Sequence, residues 1–368
     1  MRATFVFSFF WCIFVGAQAQ LTLKLTSFPA NTPAGESIYA VGSFNAWNPA
    51  SSAHIFAKQN TAYYLTLDLK SGSYELKFTR GSWAKVEGNA TGGYLPNRSF
   101  TYNGLKDTLE LSILSWEDLG AGKTHTASPN VKIFEEKFAL PQLGRSRRIW
   151  VYTPPDYATS QKQYPVLYLQ DGQNLFDAFY SFAGEWKVDE TMDSLCKKGD
   201  PGIIIVGIDN GGSKRIDEYA AWKNQKYQLG GEGDQYIRFV VDNLKPAIDK
   251  VYRTKSDKTN TAIGGSSLGG LISHYAMLKY GSTFGKGMIF SPSFWFNPEM
   301  FTLVSTEPVN NPSRFYFMAG GDEEADDDVV VKTERMRSQM IDQGYSADDL
   351  KFVSPADGKH QELSHIDI

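Results

Sequence analysis

The stretch that most limits what this chain can fold into is Thr261 to Leu271, TAIGGSSLGGL. It satisfies GxSxG in one register only, Gly265-Ser266-Ser267-Leu268-Gly269, because centring the motif on Ser266 would need a glycine where Leu268 stands. A serine at a sharp strand-to-helix turn has strained backbone angles, and glycines two residues to either side let strand and helix approach without Cβ clashes. Ser267 is therefore the candidate nucleophile. Thr261 to Ile263 supplies the strand side, and Leu271, Ile272, Tyr275, Ala276 and Leu278 recur at the spacing of a buried helix face. An idle serine in a glycine-rich turn is the competing reading, and the rest of the chain decides between them.

A chain of 368 residues is longer than one hydrophobic core usually serves, so two domains are expected. Charge is mildly acidic, 41 Asp+Glu against 37 Lys+Arg, and no basic block interrupts it. Nucleic acid is not an expected partner. The opening MRATFVFSFFWCIFVGAQAQ has a positive Arg2, an apolar run from Ala3 to Gly16 and the small-x-small pattern Ala17-Gln18-Ala19. This predicts a secretory signal cleaved after Ala19, too short for a membrane span, and a secreted or periplasmic protein of a bacterial envelope. Removing it leaves Cys196 as the one cysteine, so no intramolecular disulfide can form.

From Gln20 to about Tyr102 the apolar segments are short, alternating and punctuated by turns, which predicts a small antiparallel β-sandwich of immunoglobulin-like type. Trp47, in VGSFNAWNP, and Trp83, in KFTRGSWAKVE, stand beside polar residues and turn formers. Indoles in such surroundings suit carbohydrate, whose CH-rich faces stack on an aromatic plane while its hydroxyls need polar partners; burial in the core is the alternative. Leu105 to Asn130, with Gly120-Ala121-Gly122-Lys123 at its centre, reads as a linker. Beyond it the period changes: Val131 to Phe138, Arg148 to Thr153, Pro165 to Gln170, Ile203 to Ile208, Gly287 to Phe290, Arg314 to Met318 and Leu350 to Val353 are strand-like. Amphipathic helical stretches lie near 186–197, 234–251 and 329–343. That alternation predicts an α/β fold, a mostly parallel sheet covered by helices, of the α/β-hydrolase kind. The expected organisation is a signal peptide at 1–19, a β-sandwich at 20–104, a linker at 105–130 and a catalytic domain at 131–368.

A serine hydroxyl needs a base to take its proton and an acid to orient that base, and in this fold they follow in the order serine, acid, histidine. Of five histidines, His54 and His125 precede the hydrolase core and His274 lies on the helix after Ser267. His360, after the turn PADGK, is the candidate base, and His365 is nearly terminal. The acid belongs after the strand Phe315 to Met318, where Asp322, Glu323 and Glu324 compete. Two backbone amides would hold the oxyanion: that of Leu268, and one in the turn DGQN after YPVLYLQ, where Gln173 is the candidate. This chemistry calls for neither metal nor cofactor.

Two resemblances extend the reading. Val41 to Trp47, Tyr74 to Phe78, Trp83, Glu87 and Asn97-Arg98 resemble carbohydrate-binding family 20 and related glycogen-binding modules, implying that Trp47 and Trp83 contact sugar. YPVLYLQDGQNLFD, SFAGEWKVDE, IVGIDNGGSKRIDEY, GGSSLGG, FMAGGDEE and DGKHQE, in this order, resemble the esterase D-type branch of α/β-hydrolases, which includes enterobactin-type siderophore esterases and feruloyl and acetyl xylan esterases. That resemblance implies a serine carboxylesterase with Ser267, Glu323 and His360 as triad and Asp322 as the alternative acid. The expected substrate is an ester, polysaccharide-linked through feruloyl or acetyl groups; a siderophore ester and a non-catalytic polysaccharide-binding role are the alternatives. The sandwich is expected to act at a distance, by tethering the catalytic domain to polymer.

Overall fold

The computed structural model describes residues 20–60, 62–90, 92–120, 125–181, 184–309, 312–320 and 329–355. Two larger sheets and a two-stranded ribbon, Glu87–Gly88 with Ser115–Trp116, form the amino-terminal part. One has the order Ala57–Gln59, Ala62–Leu67, Leu21–Ser27, Asp107–Ser112, the other Tyr39–Gly42, Gly72–Thr79, Arg98–Tyr102. Alternation along Leu21–Ser27 buries Leu21, Leu23 and Leu25, which share a core with Leu65, Leu67, Leu76, Phe78 and Trp116. The expected linker is shorter than its polar composition suggests. Asp107–Ser112 pairs in parallel with Leu21–Ser27, and Ser115–Trp116 pairs with Glu87–Gly88. The physical reason is that Leu109 and Leu111 alternate with polar residues and pack on this core, so the segment is a strand that closes an open sheet edge. The parallel pairing is also a departure from the all-antiparallel arrangement expected.

The remainder of the connection is held down as well. His125 Nδ1 lies 2.8 Å from Asp177, the Ser128 amide donates to Asp189 at 2.7 Å, and Thr126 Oγ1 donates to Glu185 at 2.7 Å. A segment with this many partners on the hydrolase is a strap rather than a free tether.

The catalytic part is built on an eight-stranded sheet. Its strands are β1 (Val131–Leu140), β2 (Arg145–Tyr152), β3 (Val166–Gln170), β4 (Ile204–Ile208), β5 (Thr261–Ser266), β6 (Lys286–Phe290), β7 (Arg314–Met318) and β8 (Leu350–Val353). The spatial order is β1-β2-β4-β3-β5-β6-β7-β8, antiparallel at β1-β2 and β2-β4 and parallel thereafter. β3 and β4 are buried at every position, as strands covered on both faces must be. Helices α1 (Val188–Lys197), α2 (Gly233–Phe239), α3 (Lys245–Val251), α4 (Leu268–Lys279), α5 (Glu299–Thr306) and α6 (Val329–Asp342) cover the sheet, α2 passing into α3 through a π-helical turn at Val240–Leu244. The expected mostly parallel sheet is present; α5, a short helix in an apolar region, was not expected.

α4 carries the candidate nucleophile just before its start and is buried from Leu268 to Leu278. His274, set aside as a base by its place in the sequence, lies fully inside among Phe294, Phe315 and Phe317, with Nε2 3.4 Å from Met340 Sδ. Burial lowers its pKa to about 3. The folded protein thus refuses a proton that the unfolded chain accepts near its ordinary value of about 6.5, so stability is lost as pH falls through that value and continues to fall until the folded pKa is reached. Between pH 6.5 and 5 this one group should cost about 2 kcal/mol. Urea unfolding at pH 7.5 and 5.0 should therefore show a larger acid loss in the wild type than in His274→Leu; equal losses would rule out a neutral buried imidazole.

Candidate active site

Ser267 stands at the junction of β5 and α4 with φ 58° and ψ −121°, a conformation that L-residues avoid. Its surroundings enforce the turn. A Cβ on Gly265 would lie 2.9 Å from Gln170 Cβ and Cγ, one on Gly269 3.1 Å from Gln170 Cβ, and one on Gly270 2.8 Å from the Phe290 carbonyl oxygen. β3 and β6 press on the elbow from either side, and glycine is what allows both to do so. The Ser267 amide donates to the Phe290 carbonyl at 3.0 Å, and the Ser293 amide donates to the Ser267 carbonyl at 3.1 Å. The strained residue is thereby held through its main chain at both ends.

The turn after β3 is the second component. Asp171 has φ 56°, and a Cβ on Gly172 would meet Gly207 and Ile208 backbone atoms at 2.7 Å, so this turn is seated directly on β4. Arg215 holds the buried Asp171 carboxylate with two hydrogen bonds of 2.8 and 2.9 Å, Asn210 Nδ2 donates a third at 2.6 Å, and the Asp171 amide donates to the Tyr219 phenol at 3.1 Å. Burial pushes the Tyr219 phenol well above its ordinary range, so the ring stays neutral beside that carboxylate. A bidentate guanidinium and a further donor offset the cost of burying a carboxylate. Gln173 lies in the same turn, with Oε1 accepting from the Asn210 amide at 3.1 Å.

A cleft joins the two parts of the molecule. Ser266, Ser267, Leu268, Ser293, Trp295, Phe296, Asp171, Asn174 and Arg215 line it from the hydrolase; Trp47, Lys77, Trp83, Tyr94 and Asn97 line it from the amino-terminal sheets. Trp47 and Trp83 are half-buried, neither core residues nor free surface, with ring centroids 6.2 Å apart and planes 34° from parallel. Ala46, beside Trp47, is buried in the main hydrolase core. Ala46 and Trp47 take φ of 54° and 59°, two successive left-handed residues that turn this loop tip into the catalytic part. The expectation of a module acting at a distance is corrected by this packing.

The structure brings Ser267, Leu268, Trp47 and Trp83 to one cleft. Asp322, Glu323, Glu324, His360 and His365 lie outside the described residues. Sequence reasoning missed the Asp171–Arg215 pair and Ser293, although DGQN and SKRIDEY carry the first and the segment SPSFW the second. Among the described residues, Glu185, Asp189 and Glu190 form a carboxylate group with donor oxygens within 4.8 Å of one another, away from this cleft.

A family model described as "Putative esterase" matches residues 141–352, more than half of the chain. The chain belongs to this esterase family. It is a carboxylesterase, and its matched segment runs from just before β2 through the elbow into β8. Among curated relatives, the uncharacterized protein YbbA of Bacillus subtilis is 26% identical over 215 residues, 56% of this chain and 82% of its own. An alpha-amylase of Niallia circulans is 39% identical over 103 residues, 27% of this chain and 8% of the relative. An endo-1,4-beta-xylanase/feruloyl esterase of Xylanibacter ruminicola is 25% identical over 211 residues, 55% of this chain and 26% of the relative. The chain therefore spans only a small share of the last two. Of solved structures, the enterobactin esterase FES of Shigella flexneri in the presence of enterobactin superposes with a TM-score of 0.53 at 15% identity, covering 89% of this chain and 84% of that one, which shows a shared fold of the α/β-hydrolase type.

The crowding at the elbow yields a direct test. Gly265→Ala should give a folded esterase that is destabilised by about 1–3 kcal/mol, the usual cost of overpacking, and slowed at least tenfold on p-nitrophenyl acetate. Activity within twofold of wild type would mean that Gln170 does not confine the turn.

Proposed function

We propose that this esterase is a secreted or periplasmic serine hydrolase of acylated carbohydrate, cleaving feruloyl or acetyl esters through an acyl-enzyme. The observation that carries the reading is the cleft in which Ser267 faces two tilted indoles from the amino-terminal sheets. A pyranose ring set against Trp47 and Trp83, with Asn97 and Lys77 beside it for its hydroxyls, would place an ester on that sugar near the nucleophile. The acyl group would lie on the hydrolase side, against Trp295 and Phe296. That two relatives are an alpha-amylase and a xylanase/feruloyl esterase favours carbohydrate. The positive Arg2, the apolar run and the Ala17-Gln18-Ala19 pattern of residues 1–19 have the form of a signal sequence and support export.

In the proposed reaction His360, oriented by Glu323, takes the Ser267 proton as Oγ attacks the ester carbonyl carbon. The Leu268 and Gln173 amides receive the oxyanion. The alcohol leaves with the proton from His360, and water, activated by the same base, then releases the acid. Asp322 is the alternative orienting acid. The second reading, a siderophore ester, is favoured by a relative, the iron(III) salmochelin esterase of Escherichia coli, 28% identical over 158 residues, 42% of this chain and 34% of its own.

Ser267→Ala should lower turnover by three or more decades on every ester while leaving the melting temperature within a few degrees. Trp47→Ala and Trp83→Ala should lower kcat/KM at least tenfold on a feruloylated or acetylated oligosaccharide and less than threefold on p-nitrophenyl acetate. Equal losses on both substrates would make the indoles structural, and faster turnover of a catecholate triester than of any sugar ester would replace the carbohydrate reading. Glu323→Gln compared with Asp322→Asn assigns the acid, the larger loss in kcat marking it.

A further inference from the structure

The segment that follows β6, Ser291-Pro292-Ser293, meets the nucleophile through its side chain as well as its backbone. Ser293 Oγ lies 3.1 Å from Ser267 Oγ. Ser293 is 1% exposed yet lines the cleft, and its amide is fixed on the Ser267 carbonyl, so the hydroxyl is delivered by main-chain geometry. The segment is itself strained and anchored. Ser291 has φ 39°, and its amide donates to the carbonyl of Met318, the last residue of β7, at 2.6 Å. A non-glycine residue in that conformation persists when its surroundings over-determine it, and such sites cluster where geometry serves chemistry.

We infer that Ser293 is a catalytic residue whose hydroxyl donates a hydrogen bond to Ser267 Oγ. The inference rests on the serine esterase reading. Ser267 has one proton, and once the general base accepts it the contact with Ser293 has a single polarity: Ser293 O–H donates and Ser267 Oγ accepts. During acylation the Ser267 proton passes to the base, an Oγ lone pair forms the new bond to the acyl carbon and the carbonyl π pair moves to its oxygen; that pair then re-forms the carbonyl as the bond to the alcohol oxygen breaks and the alcohol leaves with the proton from the base. Ser293 breaks no bond. Its hydrogen bond strengthens while Oγ carries developing negative charge and weakens when Oγ becomes an ester oxygen, which is the differential stabilisation that lowers a barrier. It also holds Oγ in one rotamer before attack.

A hydrogen bond to a charging oxygen predicts a loss of about ten- to a hundredfold in acylation when the hydroxyl is removed. The test compares wild type, Ser293→Ala and Ser293→Cys, the last a weaker donor of similar shape. The readouts are the second-order rate of labelling by a fluorophosphonate, the pre-steady-state acylation rate with p-nitrophenyl acetate, and the melting temperature. The expected result is Ser293→Ala at least tenfold slower in both rates with a melting temperature within a few degrees of wild type, and Ser293→Cys in between. Labelling of folded Ser293→Ala within twofold of wild type overturns the inference. Should Ser293→Ala not fold, Ser293→Cys decides: at least threefold slower labelling supports the donor role, and a smaller change overturns it. Peptide mapping of the label on wild type separates the two levels, because a label absent from Ser267 removes the parent reading, whereas a label on Ser267 with no dependence on residue 293 removes only this one.

Discussion

The geometry of this esterase depends on one crowded turn. Ser267 takes a left-handed backbone conformation between β5 and α4, and Gly265, Gly269 and Gly270 are the positions at which β3 and β6 touch it. The strain is balanced by hydrogen bonds at the Ser267 amide and carbonyl, the first made to Phe290 at the end of β6 and the second to Ser293 just beyond it. Because the turn is fixed from two neighbouring strands, the position of Ser267 is a property of the sheet centre rather than of a loop. Burial of α4 along its length then prevents the helix from adjusting independently.

Around that turn the chain spends buried charge on shape. Asp171, in the turn after β3, is held on both sides: Arg215 donates to both carboxylate oxygens and Asn210 to one of them. Arg215 also packs over the Tyr219 ring, with 5.1 Å between guanidinium carbon and ring centroid. The effect is to tie the turn bearing the proposed oxyanion donor to the 210–219 segment, whose Gly212, Ser213 and Ile216 form part of the cleft wall. The same segment faces the indoles of the amino-terminal sheets, so the hydrolase and its companion meet where substrate would enter.

That junction changes the meaning of the companion domain. A strap of hydrogen bonds from residues 125–130 to Asp177, Glu185, Asp189 and Asp193, together with Ala46 buried in the hydrolase core, sets the two parts in one orientation. An aromatic pair of the kind that binds sugar at a distance in a tethered module here forms a wall of the catalytic cleft. In the proposed reading its consequence for catalysis would be selection by shape at Ser267 rather than enrichment at a polymer surface.

What the sequence determined by itself was local. Glycine spacing set the register of the elbow and singled out Ser267, and the change from short alternating runs to strand and helix alternation at about residue 130 separated a two-sheet part from a parallel sheet. These follow from backbone sterics and from the periods of strand and helix, which neighbouring residues alone can satisfy. The strand 107–112 was hidden because its surroundings are polar and turn-rich, and it is a strand only because an open edge awaits it. Tertiary structure decided which distant residues meet: Trp47 and Trp83 against Ser267, Arg215 on Asp171, Ser293 beside the nucleophile. Each pairing is fixed by how helices and sheets pack, and no period within the chain encodes it. The identities were readable in the sequence; their adjacency comes from close packing.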